Sequence, residues 1–266
     1  MKDALRMWKY TKMVVLTALS AAIYAAVLIP FKAIPLIPGF TEIRPANLFP
    51  VLLGLLFGPA GAWGSAIGNL IGDFFGTFGI GSLFGFVGNF LYAYIPYKIW
   101  GRYGILPEDD KTPTINSAKK FVEFEIATVV ASTACAIVIA WGLDVLKMVP
   151  FAALSTIITV NNAIISAVLG PVVLVLLYPR IKKWGLLWSD ILAPEDIPVP
   201  KLPKVYSSLV LIGAIGGLVV GLIISLGFAN QAAFAAGFAA GGAGSIGVGL
   251  GILPFLAAMF YGAFKL

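Results

Sequence analysis

Residues 121–142 read FVEFEIATVVASTACAIVIAWG, and residues 151–178 read FAALSTIITVNNAIISAVLGPVVLVLLY. Each run reaches the ~20 apolar residues that span a hydrocarbon core. Neither is built from the ~10-residue alternating segments of a membrane β-barrel. A helix satisfies its own backbone hydrogen bonds in lipid. These two runs therefore define an all-α membrane protein, and the rest of the chain is read outward from them.

Composition agrees. Hydrophobic residues make up 60% of the 266 residues and charged residues 11%, against roughly 45–50% and about 25% in soluble domains. Mean hydropathy is +0.98. A net charge of +6 would hint at nucleic acid in a soluble protein. Here the basic residues lie in short tracts beside apolar runs, which points to membrane orientation instead. No nucleic-acid partner is expected. The chain has no histidine and one cysteine, Cys135, inside an apolar run. Imidazole catalysis and histidine-ligated metals are thereby disfavoured.

Six further segments flank the pair. The first runs from about Met13 to Pro30, after Lys2, Arg6, Lys9 and Lys12. A basic start before an apolar stretch also describes a signal peptide, with Ser20-Ala21-Ala22 as its cleavage site. The run continues past that point and is read as a retained helix. A polar, proline-rich connection follows. The stretch from Asn47 to about Trp100 is broken at Gly58-Pro59 and at the glycine-rich zone 76–81. It divides into segments near Asn47–Phe57, Ala60–Phe75 and Ser82–Trp100. The first two form either two short crossings or one re-entrant hairpin. Beyond residue 178, spans are expected at about Tyr206–Phe228 and Ala232–Phe264, the last irregular around Gly241–Gly251.

Lysine and arginine collect on the cytoplasmic side of a membrane protein. The N-terminal segment, the loop Arg102–Lys120 and the loop Pro179–Lys204 hold most of the basic residues. The alternate connections hold Lys32, Arg44 and Lys147. About eight membrane segments with both termini cytoplasmic satisfy this pattern. The expected organisation is a membrane core over 1–182, a proline-rich cytoplasmic linker over 183–205 and a helical hairpin over 206–266.

The candidate binding residues lie in the middle or outer half of this arrangement. They are Glu42, Arg44, Asn47, Asn69, Asp73, Asn89, Trp141, Asn161 and Asn162. A charge at the bilayer centre costs about 2.5–3.5 kcal/mol on insertion scales, so such groups face a cavity or a partner. Arg44 is expected to pair with Asp73 or Glu42. That pair reads as a latch between the outer loop and the third segment, as a direct ligand contact, or as a solvated pair. Each asparagine reads as an interhelical hydrogen bond or as one of the few polar groups that orient a ligand among apolar walls. Ala18, Ala22 and Ala26 fall four apart on one helix face, either for internal packing or for docking a partner. No P-loop and no Gly-x-Ser-x-Gly element occurs. The chain reads as a non-enzyme that binds no ATP of its own in that manner.

Ile43-Arg44-Pro45-Ala46-Asn47, Phe57-Gly58-Pro59, the run Gly64 to Gly76 and Gly88-Asn89-Phe90 carry a family resemblance. The chain resembles the substrate-binding S components of energy-coupling factor (ECF) transporters, especially the QueT-like group. The resemblance covers about the first 180 residues and implies a six-helix core, with the last two spans as an extension. It implies a multi-pass plasma-membrane subunit that binds a vitamin-like micronutrient from outside. It further implies partnership with a T component, docked on the alanine face, and with two cytosolic ATPases that use the ATP. No cofactor or metal on this chain follows from it. A stand-alone secondary transporter or channel for a small solute is the alternative. Its sign would be a repeat relating two halves, and none is evident.

Overall fold

The computed structural model describes residues 2–37, 40–228, 244 and 246–266. The core is helical throughout: α1 (Lys2–Arg6), α2 (Thr11–Leu28), α3 (Leu48–Phe57), α4 (Pro59–Asp73), α5 (Gly81–Ile99), α6 (Ala118–Val145) and α7 (Phe151–Lys183). After it come α8 (Trp188–Ile191), α9 (Pro203–Leu211), α10 (Gly217–Phe228), α11 (Ile246–Gly251) and α12 (Leu253–Lys265). Among the described residues, five stretches are long and apolar enough to cross a membrane: Thr11–Ala33, Ala118–Val145, Phe151–Ile191, Pro203–Gly227 and Ile246–Lys265.

The Asn47–Asp73 stretch folds as a helical hairpin. α3 has 10 residues, about 15 Å at 1.5 Å per residue, too short for a ~30 Å core. It ends at Gly58, whose φ of 56° and ψ of −125° reverse the chain, and Pro59 opens α4. A side chain at Gly58 would be left-handed in backbone and would meet the Trp188 ring 2.9 Å away, so glycine is required there. α4 then returns to the end from which α3 started.

α2 packs on α4, α4 on α5, α5 on α6 and α6 on α7, while α3 lies inside against α4, α5 and α7. The α2–α4 contact is close because α4 presents Gly64, Gly68 and Gly72 at four-residue spacing. A Cβ at Gly68 would approach Ala21 O to 2.8 Å, and one at Gly64 would collide with Ser20. Small residues allow this approach where lipid offers no hydrophobic gain. Ala21 and Ala25 are buried in the contact, whereas Ala18, Ala22 and Ala26 lie exposed on the other side of α2.

Three features go beyond what the sequence suggested. α1 folds back onto the bundle, with Asp3 fully buried. Its carboxylate accepts hydrogen bonds from Lys98 (3.0 Å) and Tyr94 (2.9 Å), and Trp63 donates to Ala4 O at 2.8 Å. The polar, proline-rich connection after α2 contains a short hairpin. Its strands β1 (Pro35–Ile37) and β2 (Thr41–Glu42) pair antiparallel, so its main-chain groups bond to each other at the edge of the bundle. The seventh span is present over Pro203–Gly227 and contains a π-helical turn over Ile212–Gly216.

The eighth expected span falls partly on residues 229–243 and 245, outside the described residues. Its described part breaks between α11 and α12, at the edge of the zone where irregularity was expected. The C-terminal helices are attached to the core. Trp141 Nε1 donates to Gly249 O at 2.9 Å, and Ala152 N donates to Ser225 Oγ at 3.2 Å.

Candidate functional site

The end of the bundle opposite α1 gathers ionic groups from four segments. Lys32 lies in the 3₁₀ turn after α2, Glu42 on β2, Arg44 just beyond it, and Asn69 and Asp73 one turn apart on α4. Lys32 Nζ lies 2.9 Å from Glu42 and 3.1 Å from Asp73, and it donates to Thr77 Oγ1 at 2.6 Å. Arg44 Nε lies 2.8 Å from Glu42, and Arg44 Nη1 donates to Asn69 Oδ1 at 2.9 Å. Asn69 Nδ2 donates in turn to Asp73 Oδ2 at 3.2 Å. Two cations face two carboxylates, so the formal charges cancel. The Arg44–Glu42 approach is ionic without an aligned hydrogen bond, and both Glu42 oxygens keep unused acceptor capacity. An unused buried acceptor is a cost that a donor can relieve.

Below this cluster lies a layer of amides and hydroxyls. Tyr24 OH is 2.9 Å from Asn89 Oδ1 and 3.2 Å from Asn47 Oδ1. Asn47 Nδ2 donates to Asn162 Oδ1 at 2.6 Å. Tyr92 OH donates to Asn162 O at 3.0 Å and lies 2.7 Å from Ser166 Oγ, which itself donates to Asn47 O at 2.8 Å. Such a layer fixes the mutual positions of α2, α3, α5 and α7, because a broken link would strand a buried polar atom.

Between the two layers is a cavity of about 230 Å³. Arg44, Asn69, Asp73, Asn89 and Asn162 line it, together with Cys135 and apolar groups that include Phe40, Phe78 and Ile158. A few convergent polar groups among apolar walls is the usual make-up of a small-molecule site. The volume suits a ligand smaller than a typical drug.

Five of the nine candidate residues therefore line one cavity. Glu42 and Asn47 lie one contact behind its wall. Asn161 turns away: its Nδ2 donates to Glu42 O at 2.9 Å, and its side chain borders an apolar groove on the outside of α7. Trp141 is not in this group, because its indole faces α11.

Sequence reasoning missed Lys32, Thr77 and Tyr24. Lys32 was counted only as a topological charge. Thr77 follows Asp73 by four residues, a spacing that brings its hydroxyl within 3.0 Å of the carboxylate. Tyr24 carried a signal, since a tyrosine within an apolar helix needs a partner for its hydroxyl. Among the described residues, no group of three His, Cys, Asp or Glu side chains is placed to hold a metal ion.

A larger cleft of about 460 Å³ lies at the α1 end, lined by Tyr97, Trp100, Arg102, Lys111 and Trp188 with three nearby prolines. It contains none of the candidate asparagines or carboxylates. Chemistry rather than volume therefore singles out the smaller cavity.

Comparison with known proteins adds one match. A family model described as QueT transporter matches residues 14–179. The match runs from α2 through nearly all of α7, spans well over half of the chain and includes every polar residue lining the small cavity. No curated protein and no solved structure matches.

Proposed function

The chain belongs to the QueT transporter family, the QueT-like group of ECF S components, and from that premise we propose how it works. It is a multi-pass plasma-membrane protein that serves transport of a small substrate, not an enzyme. In our reading it is the substrate-specific subunit of an ECF importer. It takes a vitamin-like micronutrient from outside into the small cavity and delivers it inward with a T component and two cytosolic ATPases. The ATP is used by those partners, and this chain carries no cofactor.

The carrying observation is the cavity itself, which has a self-neutralised ionic wall of Arg44, Asn69 and Asp73 opposite an amide floor of Asn89 and Asn162. A ligand entering it meets donors and acceptors already held in place by neighbours, which lowers the ordering cost of binding. Glu42, Asn47 and Asn161 act from behind the wall. Trp141 serves the joint to the C-terminal helices instead.

Both termini lie in the cytosol in this arrangement, which puts the cavity towards the outside and α1 towards the inside. The membrane core ends near residue 182, the linker occupies 183–205, and the hairpin 206–266 is an addition to the family core. The exposed Ala18, Ala22 and Ala26 on α2 form the face on which the T component docks.

Affinity purification of the tagged chain from its native membrane tests this reading. Co-elution of a T component and ATPases is expected, with uptake abolished when the ATPases are inactivated. Uptake by the isolated chain, driven by an ion gradient alone, would overturn it.

A further inference from the structure

We propose that the Tyr24 hydroxyl couples the partner-docking face of α2 to the floor of the substrate cavity. The inference rests on the reading of α2 as the docking helix and adds a positioning residue to it.

α2 has two faces with different neighbours. Ala18, Ala22 and Ala26 are exposed on one, and Tyr24 is fully buried on the other. The Tyr24 hydroxyl reaches Asn89 Oδ1 at 2.9 Å and Asn47 Oδ1 at 3.2 Å. Asn89 lines the cavity directly, and Asn47 holds Asn162, which lines it from α7. One group on α2 thus touches both branches of the floor.

The chemistry of that contact is two-state. A hydroxyl has one proton to donate, but two amide oxygens face it. Whichever asparagine receives the proton, the other presents its oxygen to an oxygen. A small rotation of the hydroxyl, or a small shift of α2, exchanges the two arrangements. Coupling between sites needs an element with two discrete arrangements whose balance both sites bias.

The α2–α4 contact passes such a shift on. At Gly64 and Gly68 the main chains of the two helices meet almost directly. Few flexible side chains lie between them to absorb displacement, and packed interiors transmit strain. A partner that draws α2 outward lengthens the Tyr24–Asn89 bond, frees the Asn89 carbonyl and loosens the floor on which the ligand rests.

Cys135 reports on this without any knowledge of the ligand. It is the chain's sole cysteine, and it lines the cavity. The experiment measures its alkylation by N-ethylmaleimide, by peptide mass spectrometry, in the chain alone and in the assembly with T component and ATPases. Tyr24→Phe and Asn89→Ala remove the same bond from opposite sides and are compared with wild type.

In the wild-type chain, assembly is expected to change the Cys135 rate by about fivefold or more, the lower range of allosteric coupling. In either variant the assembly still forms, and the ratio falls towards one. An unchanged ratio in either variant, or a wild-type ratio near one in an intact assembly, overturns the role of Tyr24 and leaves the importer reading standing. Failure of the wild-type chain to assemble at all overturns both.

Discussion

At the α1 end of the bundle, Asp3 and Lys98 meet at 3.0 Å with side chains 0% and 1% exposed. Tyr94 donates to the second carboxylate oxygen, and the Lys98 ammonium lies 5.2 Å from the Tyr94 ring centroid and 5.1 Å from that of Tyr97. At the other end, Lys32, Glu42, Arg44 and Asp73 are also largely buried and paired, but Arg44 and Asp73 border open volume, and Glu42, one contact behind them, has acceptors to spare. The first arrangement is closed: both carboxylate oxygens of Asp3 accept a hydrogen bond, and the pair ties α1 to α5. The second is held in shape by the same kind of bond yet retains capacity for a further donor. Burial of charge alone therefore does not mark a binding site. What marks one is buried charge beside space, with hydrogen-bonding capacity left over.

The difference is sharpest when one partner is removed. Asp3→Ala leaves the Lys98 charge buried and uncompensated, which costs about 3–5 kcal/mol. The purified protein should melt markedly lower, and Asp3→Ala combined with Lys98→Met should recover most of the loss. An unchanged melt for the single variant would show that α1 contributes nothing to closing that end.

Asp73→Asn should do the reverse. Glu42 remains as a counter-charge to both Lys32 and Arg44, so the loss of stability should be smaller than for Asp3→Ala. A ligand bond to a charged group is worth about 1.5–3 kcal/mol, so retention of the small molecule through purification should fall about tenfold to a hundredfold. Full retention would place the ligand elsewhere.

Much of this contrast was legible in the sequence and part was not. The apolar runs, the Gly58-Pro59 break and the return of α4 follow from helix length and from glycine and proline chemistry, which are local. A pair of Arg44 with Asp73 or Glu42 was expected because a charge in or near the membrane needs a partner, and Glu42 is the one found. The Asp3–Lys98 pair joins residues 95 apart in sequence. No periodicity signals that contact, and both residues looked like ordinary charges at a membrane surface. Trp141 was grouped with the asparagines by depth alone. Depth does not say which side of a helix a residue occupies, and its side of α6 belongs to the C-terminal helices.

Trp141 accordingly gives a smaller and more selective prediction. Trp141→Phe removes one hydrogen bond to Gly249 O, worth about 1 kcal/mol. Hydrogen exchange in α11 should quicken while ligand retention stays at the wild-type level. Lost retention would return Trp141 to the binding site.

The mildest test concerns pH. Asp196 accepts from Arg6 and Tyr10 and pairs with Lys9, tying the linker to the N-terminal segment. Lys9 first, then Tyr10 and Arg6, hold its carboxyl down at about 2, against ~3.9 for a free aspartate. A lowered carboxylate pKa stabilises the folded contact above the free value, and that stabilisation is lost as pH falls through the folded one. Proteolytic protection of residues 2–10 should therefore hold above about pH 4 and decline between about 4 and 2. Protection that instead declines as pH rises from neutral would contradict the assigned ion pairs.

Transport by this chain requires a small solute to rest between the ionic wall and the amide floor. Native mass spectrometry of the protein purified from its own membrane measures this directly. Wild type should release a small molecule at close to one per chain, and Asn89→Ala/Asn162→Ala, folded and expressed, should release almost none. Equal release from both would place the solute outside this cavity.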